Sequence, residues 1–263
     1  MRCGACALAY SDPPQRTEVV RSEYDGVYER DAVVARMAGR RLAVFGDFFE
    51  RVRPAAGARL LDVGCGTGDF LALAHARGWQ PTGIDLSARA AALARERGLD
   101  ARTDWEGLSA RDFGAVTLWN VVEFLERPIE TLRDVHRVLA PGGHIFIRTP
   151  NERFQLAAYR WRRRLVWFGP LARLLGNAYY FHPVLWSSTT LATALARAGF
   201  VEVRLWNSRP SAGDPYRVRS RPGEAAVDAA KRLVHACARG TGAATHGRVL
   251  VGSSLSALAR KAA

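Results

Sequence analysis

Short apolar runs alternate with segments of helical period along most of this chain. From Glu29 to Arg53 the apolar residues Val33, Val34, Met37, Leu42, Phe45, Phe48, Phe49 and Val52 recur at helical spacing, and Pro54 and Gly57 end the run. A strand is predicted over 59–63, a helix over 69–77, a second strand over 80–84, and a helix over 87–97 with Ser87 as its N-cap. Residues 101–103 read as a short strand and 115–119 as the fourth. A helix over 128–139 is stopped by Pro141-Gly142-Gly143, and 144–148 is the fifth strand. Between Asn151 and Thr190 the alternation lapses into an insertion rich in arginine and aromatic residues. It resumes with a helix over 190–198, a strand over 201–206, a loop over 208–223 and a helix over 224–239. A second loop over 240–252 holds a short strand at 249–251. The last strand, 254–260, carries Leu255, Ala257 and Ala259 on one face. This order predicts the α/β class: a doubly wound, seven-stranded, mostly parallel sheet with an antiparallel last strand.

Composition changes this picture little. The 263 residues, 48% of them hydrophobic, suit one domain with additions. The net charge of +13 invites a nucleic-acid or membrane partner. However, every basic residue except Lys231 and Lys261 is arginine and alanine abounds, a skew that follows codon usage in a GC-rich genome. No N-terminal stretch has the basic, apolar and small-residue order of a secretory signal. The longest apolar stretch, 165–181, is broken by Pro170, Arg173 and Asn177. A cytoplasmic protein is the expectation. Among the four cysteines, Cys3 and Cys6 form a C-x-x-C without the second pair that a structural zinc needs.

The segment with the most chemistry is Leu60-Leu-Asp-Val-Gly-Cys-Gly-Thr-Gly-Asp-Phe70. Gly64, Gly66 and Gly68 allow positive φ and close approach of a ligand between a strand and a helix, and such a loop is expected to present backbone N–H groups. The spacing is G-x-G-x-G, with Asp69 where a dinucleotide fingerprint has its third glycine. Asp85 closes the next strand, where a carboxylate can accept from both hydroxyls of a ribose. Cys65, inside the loop, is expected to be a small filler. Loop, strand-end acid and the later segments together resemble the class I S-adenosylmethionine-dependent methyltransferases over about 60–260.

The resemblance implies a Rossmann-like fold with an extension over 1–29, a methyltransferase domain over 30–263, and an acceptor-side insertion at about 151–190. It implies S-adenosylmethionine as cofactor, held by Asp62, Gly64, Cys65, Gly66, Gly68, Asp85, Leu86, Asp104 and Trp105. Asp62 supports the amino end, Asp85 takes the ribose hydroxyls, Asp104 accepts from the adenine amino group, and Leu86 and Trp105 stack on the ring. As a turn residue Asp104 has an alternative, purely structural role. The segment Trp119-Asn-Val-Val-Glu-Phe-Leu-Glu-Arg-Pro128 resembles V-L-E-H-x-x-D-P with Phe124 in place of His, so no metal is expected. Asn120 and Glu123 are candidates at the reacting methyl or for ordering the loop. Tyr179-Tyr-Phe-His-Pro-Val-Leu-Trp-Ser187 resembles an H-x-x-H-F-S segment of the acceptor pocket, in which His182 matches the first His and Leu185 replaces the second. The opening Cys3-Gly-Ala-Cys6 resembles the second knuckle of a zinc ribbon that some such enzymes carry, with the first knuckle missing.

The expected function is methyl transfer to a small-molecule acceptor, at oxygen first, with carbon or nitrogen, or cofactor binding without catalysis, as alternatives. Nucleic acid is not expected, because no Asn-Pro-Pro-Tyr-type motif follows the fourth strand. The Arg160-Trp-Arg-Arg-Arg164 segment and the apolar residues to 175 have the pattern of a peripheral membrane contact or a surface helix.

Overall fold

The computed structural model describes residues 1–13, 16–30, 35, 39–55, 57–165, 182–212 and 221–263. In chain order the elements are β1 (Ala9–Tyr10), α1 (Thr17–Tyr28), α2 (Leu42–Phe49), β2 (Arg59–Val63), α3 (Asp69–His75), β3 (Gln80–Ile84) and α4 (Ala88–Glu96). There follow β4 (Ala101–Arg102), β5 (Phe113–Trp119), a 3-10 turn (Val122–Phe124), α5 (Pro128–Val138), β6 (Leu139–Pro150), α6 (Glu152–Leu165) and β7 (Val184–Leu185). The chain ends with α7 (Ser188–Arg197), β8 (Phe200–Asn207), α8 (Arg221–Ala244) and β9 (Ser254–Lys261). The main sheet has the order β4-β3-β2-β5-β6-β9-β8. The β4-to-β6 strands are parallel, and β9 slots antiparallel between β6 and β8. This is the Rossmann-like architecture expected from the sequence.

Alternation along the strands sends neighbouring residues to opposite cores. Leu61 joins Val116, Leu118, Ile145 and Ile147 beneath α5 and α7, whereas Leu60 joins Ala115 and Phe146 beneath α2 and α3. The second core is aromatic: Phe48 lies edge-on to Phe49, Phe70 and Phe146 and tilted against Trp79. Parallel strands enter this sheet in one sense, so the carboxyl ends of β2 to β6 and the loops after them share one edge, where open α/β sheets bind ligands.

The structure corrects the sequence reading at several points. Helix α1 was not foreseen, although Val20, Tyr24 and Tyr28 stand four apart on it. The helix expected over 29–53 is seen as Leu42–Phe49, with 31–34 and 36–38 outside the described residues. Strand β6 begins at Leu139, not His144, because Leu139 pairs with Phe113 and a register shift absorbs Pro141-Gly142. Helix α8 runs on through Gly240 to Ala244, carried by its alanines. No strand forms at 249–251, where the Leu250 and Gly252 carbonyls accept from the Asn151 side chain instead of a ladder partner. The apolar stretch 166–181 lies outside the described residues. Among the described residues no helix is long and apolar enough to cross a membrane.

Residues 1–28 are tied to the rest at several places. Strand β1 pairs antiparallel with β7, Arg2 forms an ion pair with Glu152, and α1 packs against α4.

Phe48 is fully buried in the aromatic core. Phe48→Ala is expected to cost about 3–5 kcal/mol, measured as a lower urea midpoint with unchanged slope.

Candidate active site

The glycine loop after β2 is shaped by contacts on both of its sides. A Cβ on Gly64, at φ 75°, would lie 2.2 Å from Val121 Cγ2, and one on Gly66, at φ 55°, would lie 2.9 Å from the Tyr28 hydroxyl. The Gly64 and Cys65 N–H groups donate to the Ile84 carbonyl at 2.7 and 3.0 Å, and Gly66 N–H donates to Asp85 Oδ2 at 2.8 Å. Gly68 N–H donates to the Cys65 carbonyl. These four amides are therefore spent within the protein. The loop supplies shape. Cys65 is buried against Gly83, where an added Cβ would lie 2.6 Å from its Sγ, and burial pushes its thiol well above the ordinary pKa. It is a filler, not a nucleophile.

Asp85 directly follows β3 and is nine-tenths buried. Its Oδ2 holds the glycine loop, and its Oδ1 accepts from Ser87 N–H at 2.9 Å. Ser87 caps α4 by accepting from Ala90 N–H at 3.1 Å, and its hydroxyl donates to Asp25 of α1. Burial first, then the nearby Asp25 charge, raises the Asp85 pKa against the opposing effect of its two amide donors. Each carboxylate oxygen keeps a second lone pair for a further donor.

Beside the loop lies a cavity of about 50 Å³ walled by Asp62, Gly66, Tyr28, Arg41 and Trp119. It is head-group sized, since one water takes about 10–15 Å³ on this scale. Asp62 accepts from Thr117 Oγ1 at 2.6 Å, and burial pushes its carboxyl up to about 8. Arg41 opposes that shift with its charge. Trp119 is buried, and its indole N–H finds no acceptor among the described residues. The wall thus combines an acid, a cation and an unsatisfied donor. Tyr28, Arg41 and the Trp119 N–H escaped sequence reasoning; the four-residue spacing in α1 was the only signal pointing to Tyr28.

Asn120 and Glu123 follow β5 in a buried network. Asn120, at φ 61°, donates from Nδ2 to Glu123 Oε1 at 2.9 Å, and Thr149 Oγ1 donates to Glu123 Oε2 at 2.9 Å. Arg148 donates to Asn120 Oδ1 and, at 3.0 Å, to Ser208 Oγ. Burial pushes Glu123 up to about 7 and Arg148 down to about 10. Both Glu123 oxygens and the Asn120 amide therefore have internal partners, an arrangement that orders the loop after β5. Arg148 went unnoticed in the sequence, although a charge inside the apolar run Ile145-Phe-Ile-Arg-Thr149 was its signal.

His182 lies on the same side, with its ring edge-on to Phe124 at 5.2 Å, and Phe124 meets Tyr24 at 5.5 Å. Burial pushes His182 down to about 4. Leu86 stands 40% exposed next to Asp85. Asp104 is exposed and accepts from Glu106 N–H at 3.0 Å, a turn of its own, while Trp105 is half-buried against the core. Trp161 of α6 is 61% exposed among Arg160, Arg163 and Arg164, and 166–175 lies outside the described residues.

A family model described as a methyltransferase domain matches residues 35–205. The chain belongs to the class I S-adenosylmethionine-dependent methyltransferases. A ubiquinone biosynthesis O-methyltransferase from Xanthomonas oryzae is 33% identical over 180 residues, 63% of this chain and 71% of that protein. One of the same name from Aromatoleum aromaticum is 33% identical over 119 residues, 41% of this chain, which spans about half (51%) of that protein's length. Among solved structures, a Mesorhizobium loti S-adenosylmethionine-dependent methyltransferase superposes with a TM-score of 0.56 at 20% identity, covering 85% of this chain and 100% of that one. A Haemonchus contortus phosphoethanolamine N-methyltransferase in complex with S-adenosylmethionine gives 0.57 at 17%, covering 84% and 53%. At these identities the structures speak for the fold. This methyltransferase uses S-adenosylmethionine, and the site suits it: Asp62 and Arg41 wall the cavity with an acid and a cation, and the Trp119 N–H has no acceptor among the described residues.

If α1 rests on the loop through Tyr28, Gly66→Ala should destabilise the fold by about 1–2 kcal/mol from its backbone alone. The clash with the hydroxyl adds to this. Adding Tyr28→Phe should relieve the clash and give a coupling of about 1 kcal/mol in a denaturation double-mutant cycle. Strict additivity would show that α1 does not bear on the loop.

Proposed function

We propose that this methyltransferase methylates a hydroxyl oxygen of a flat, largely apolar small molecule, with His182 as the proton acceptor. The observation that carries this reading is the His182 ring set edge-on against Phe124, with Tyr24 beyond it. Aromatic edges and faces favour a flat ring, and the imidazole offers the one thing a hydroxyl nucleophile must have, somewhere to put its proton. The O-methyltransferase names of the relatives support the same atom.

The bound cofactor supplies a methyl group already activated on a sulfonium. The chain's task is alignment and charge. We assign Asp62 to the ammonium of the methionine portion, with Arg41 and the Trp119 N–H facing its carboxylate. Asp85 takes the ribose hydroxyls on its remaining lone pairs, Leu86 and Trp105 flank the adenine, and Asp104 lies at the adenine amino group. The Arg148–Asn120–Glu123 network holds the loop after β5 between the two ligands, as a positioning device.

Methyl transfer from S-adenosylmethionine is to be assayed on phenols, catechols, aliphatic alcohols and amines. The expected product is an aryl methyl ether. His182→Gln should lower kcat by about 10²–10⁴-fold with cofactor affinity unchanged. Because burial disfavours the charged imidazole, His182 stays unprotonated down to about pH 4. The acid limb of kcat/KM should therefore lie near that value, with activity retained at pH values where an ordinary histidine is already charged. The same depression implies stability that is lost as pH falls from about 6.5 toward 4, since the unfolded chain takes up the proton first. Methylation of amines alone, or an acid limb near 6.5, would contradict the reading.

A further inference from the structure

The first ten residues form a small hairpin away from the glycine loop. Met1 and Tyr10 exchange backbone hydrogen bonds, Arg2 bridges Ala9, and Cys3 N–H donates to the Leu8 carbonyl at 2.9 Å. At the tip, Ala7 N–H donates to the Cys3 carbonyl at 2.8 Å, which closes a five-residue turn ending in Ala7 at φ 59°. Cys3 and Cys6 are three residues apart on this turn, next to its closing hydrogen bond. The Ala5 and Cys6 amides and the neighbouring Cys6 thiol hold the Cys3 thiol below its ordinary pKa.

The hairpin is held in place from outside. Its second strand pairs with Val184–Leu185, Ser11 N–H donates to the Pro183 carbonyl at 2.8 Å, and Arg2 meets Glu152. Both thiols are free and partly accessible. Among the described residues no group of three or more metal-ligating side chains forms around the pair. Two adjacent thiols with one sulfur stabilised as thiolate by N–H donors retain a different chemistry, thiol–disulfide exchange. The remaining cysteines are unlike them: Cys65 is buried in the glycine loop, and Cys237 is exposed on α8.

We propose that Cys3 and Cys6 form a reversible dithiol–disulfide centre that exchanges with small-molecule disulfides of the glutathione class. The Cys3 thiolate attacks one sulfur of the disulfide, forming a mixed disulfide and releasing one thiolate. Cys6 then loses its proton to solvent and attacks the Cys3 sulfur, which forms the Cys3–Cys6 bond and releases the second thiolate. Two protein thiols are oxidised, and one disulfide is reduced to two thiols.

The full chain, equilibrated at graded ratios of reduced to oxidised glutathione, is to be quenched in acid, alkylated and mapped by peptide mass. The expected result is a Cys3–Cys6 link whose fraction tracks the ratio, with loss of two of the four alkylatable thiols while Cys65 and Cys237 remain reactive after unfolding. Cys6→Ser should stop at a glutathione adduct on Cys3, with the circular dichroism spectrum of the wild type. Absence of the link at the most oxidising ratio would overturn the proposal. So would a parallel zinc titration that loads one ion per two chains and blocks alkylation of Cys3 and Cys6, because the pair would then be half of a shared metal site.

Discussion

One buried carboxylate organises the cofactor side of this methyltransferase. Asp85 holds the glycine loop through Gly66 N–H with one oxygen and the start of α4 through Ser87 N–H with the other. Ser87 passes the linkage to α1 through Asp25. Three segments far apart in sequence are thereby set around one group that desolvation would prefer to keep neutral. The two amide donors offset that cost, and ligand hydroxyls on the remaining lone pairs would offset more of it.

The same edge of the sheet concentrates other ionisable groups that burial has moved from their ordinary values. Asp62 and Glu123 are pushed upward and Arg148 downward. Each has at least one hydrogen-bond partner, and each sits at the carboxyl end of a parallel strand or in the loop after it. A cationic sulfonium cofactor and a hydroxyl acceptor demand opposite charge environments within a few ångströms. A row of separately tuned groups along one edge meets that demand better than a uniformly acidic pocket.

The sequence made the sheet legible because its strands are short, apolar and punctuated by glycine. The 59–63 and 80–84 strands coincide with β2 and β3, and Ser87 caps its helix as its hydroxyl suggested. What escaped was whatever depends on long-range contacts. Helix α1 has a low mean hydropathy, and its burial comes from resting on the loop and α4. Whether a glycine-loop amide faces a ligand or the Ile84 carbonyl is decided by β3, eighteen or more residues away. Asn120 and Glu123 were recognised, but their link to Arg148 was not, since that link runs between neighbouring strands. The local signals marked the segments that meet at this edge of the sheet, and their internal wiring needed the fold.

Asp85 holds the loop and is proposed to take the ribose as well. Calorimetric titration of S-adenosylmethionine into the wild type and Asp85→Asn tests this most directly. An amide keeps the shape but replaces one acceptor oxygen with a donor group. The wild type should bind near micromolar, about −8 kcal/mol, and the folded variant at least about tenfold more weakly. Equal affinities, or no binding by the folded wild type, would contradict the account.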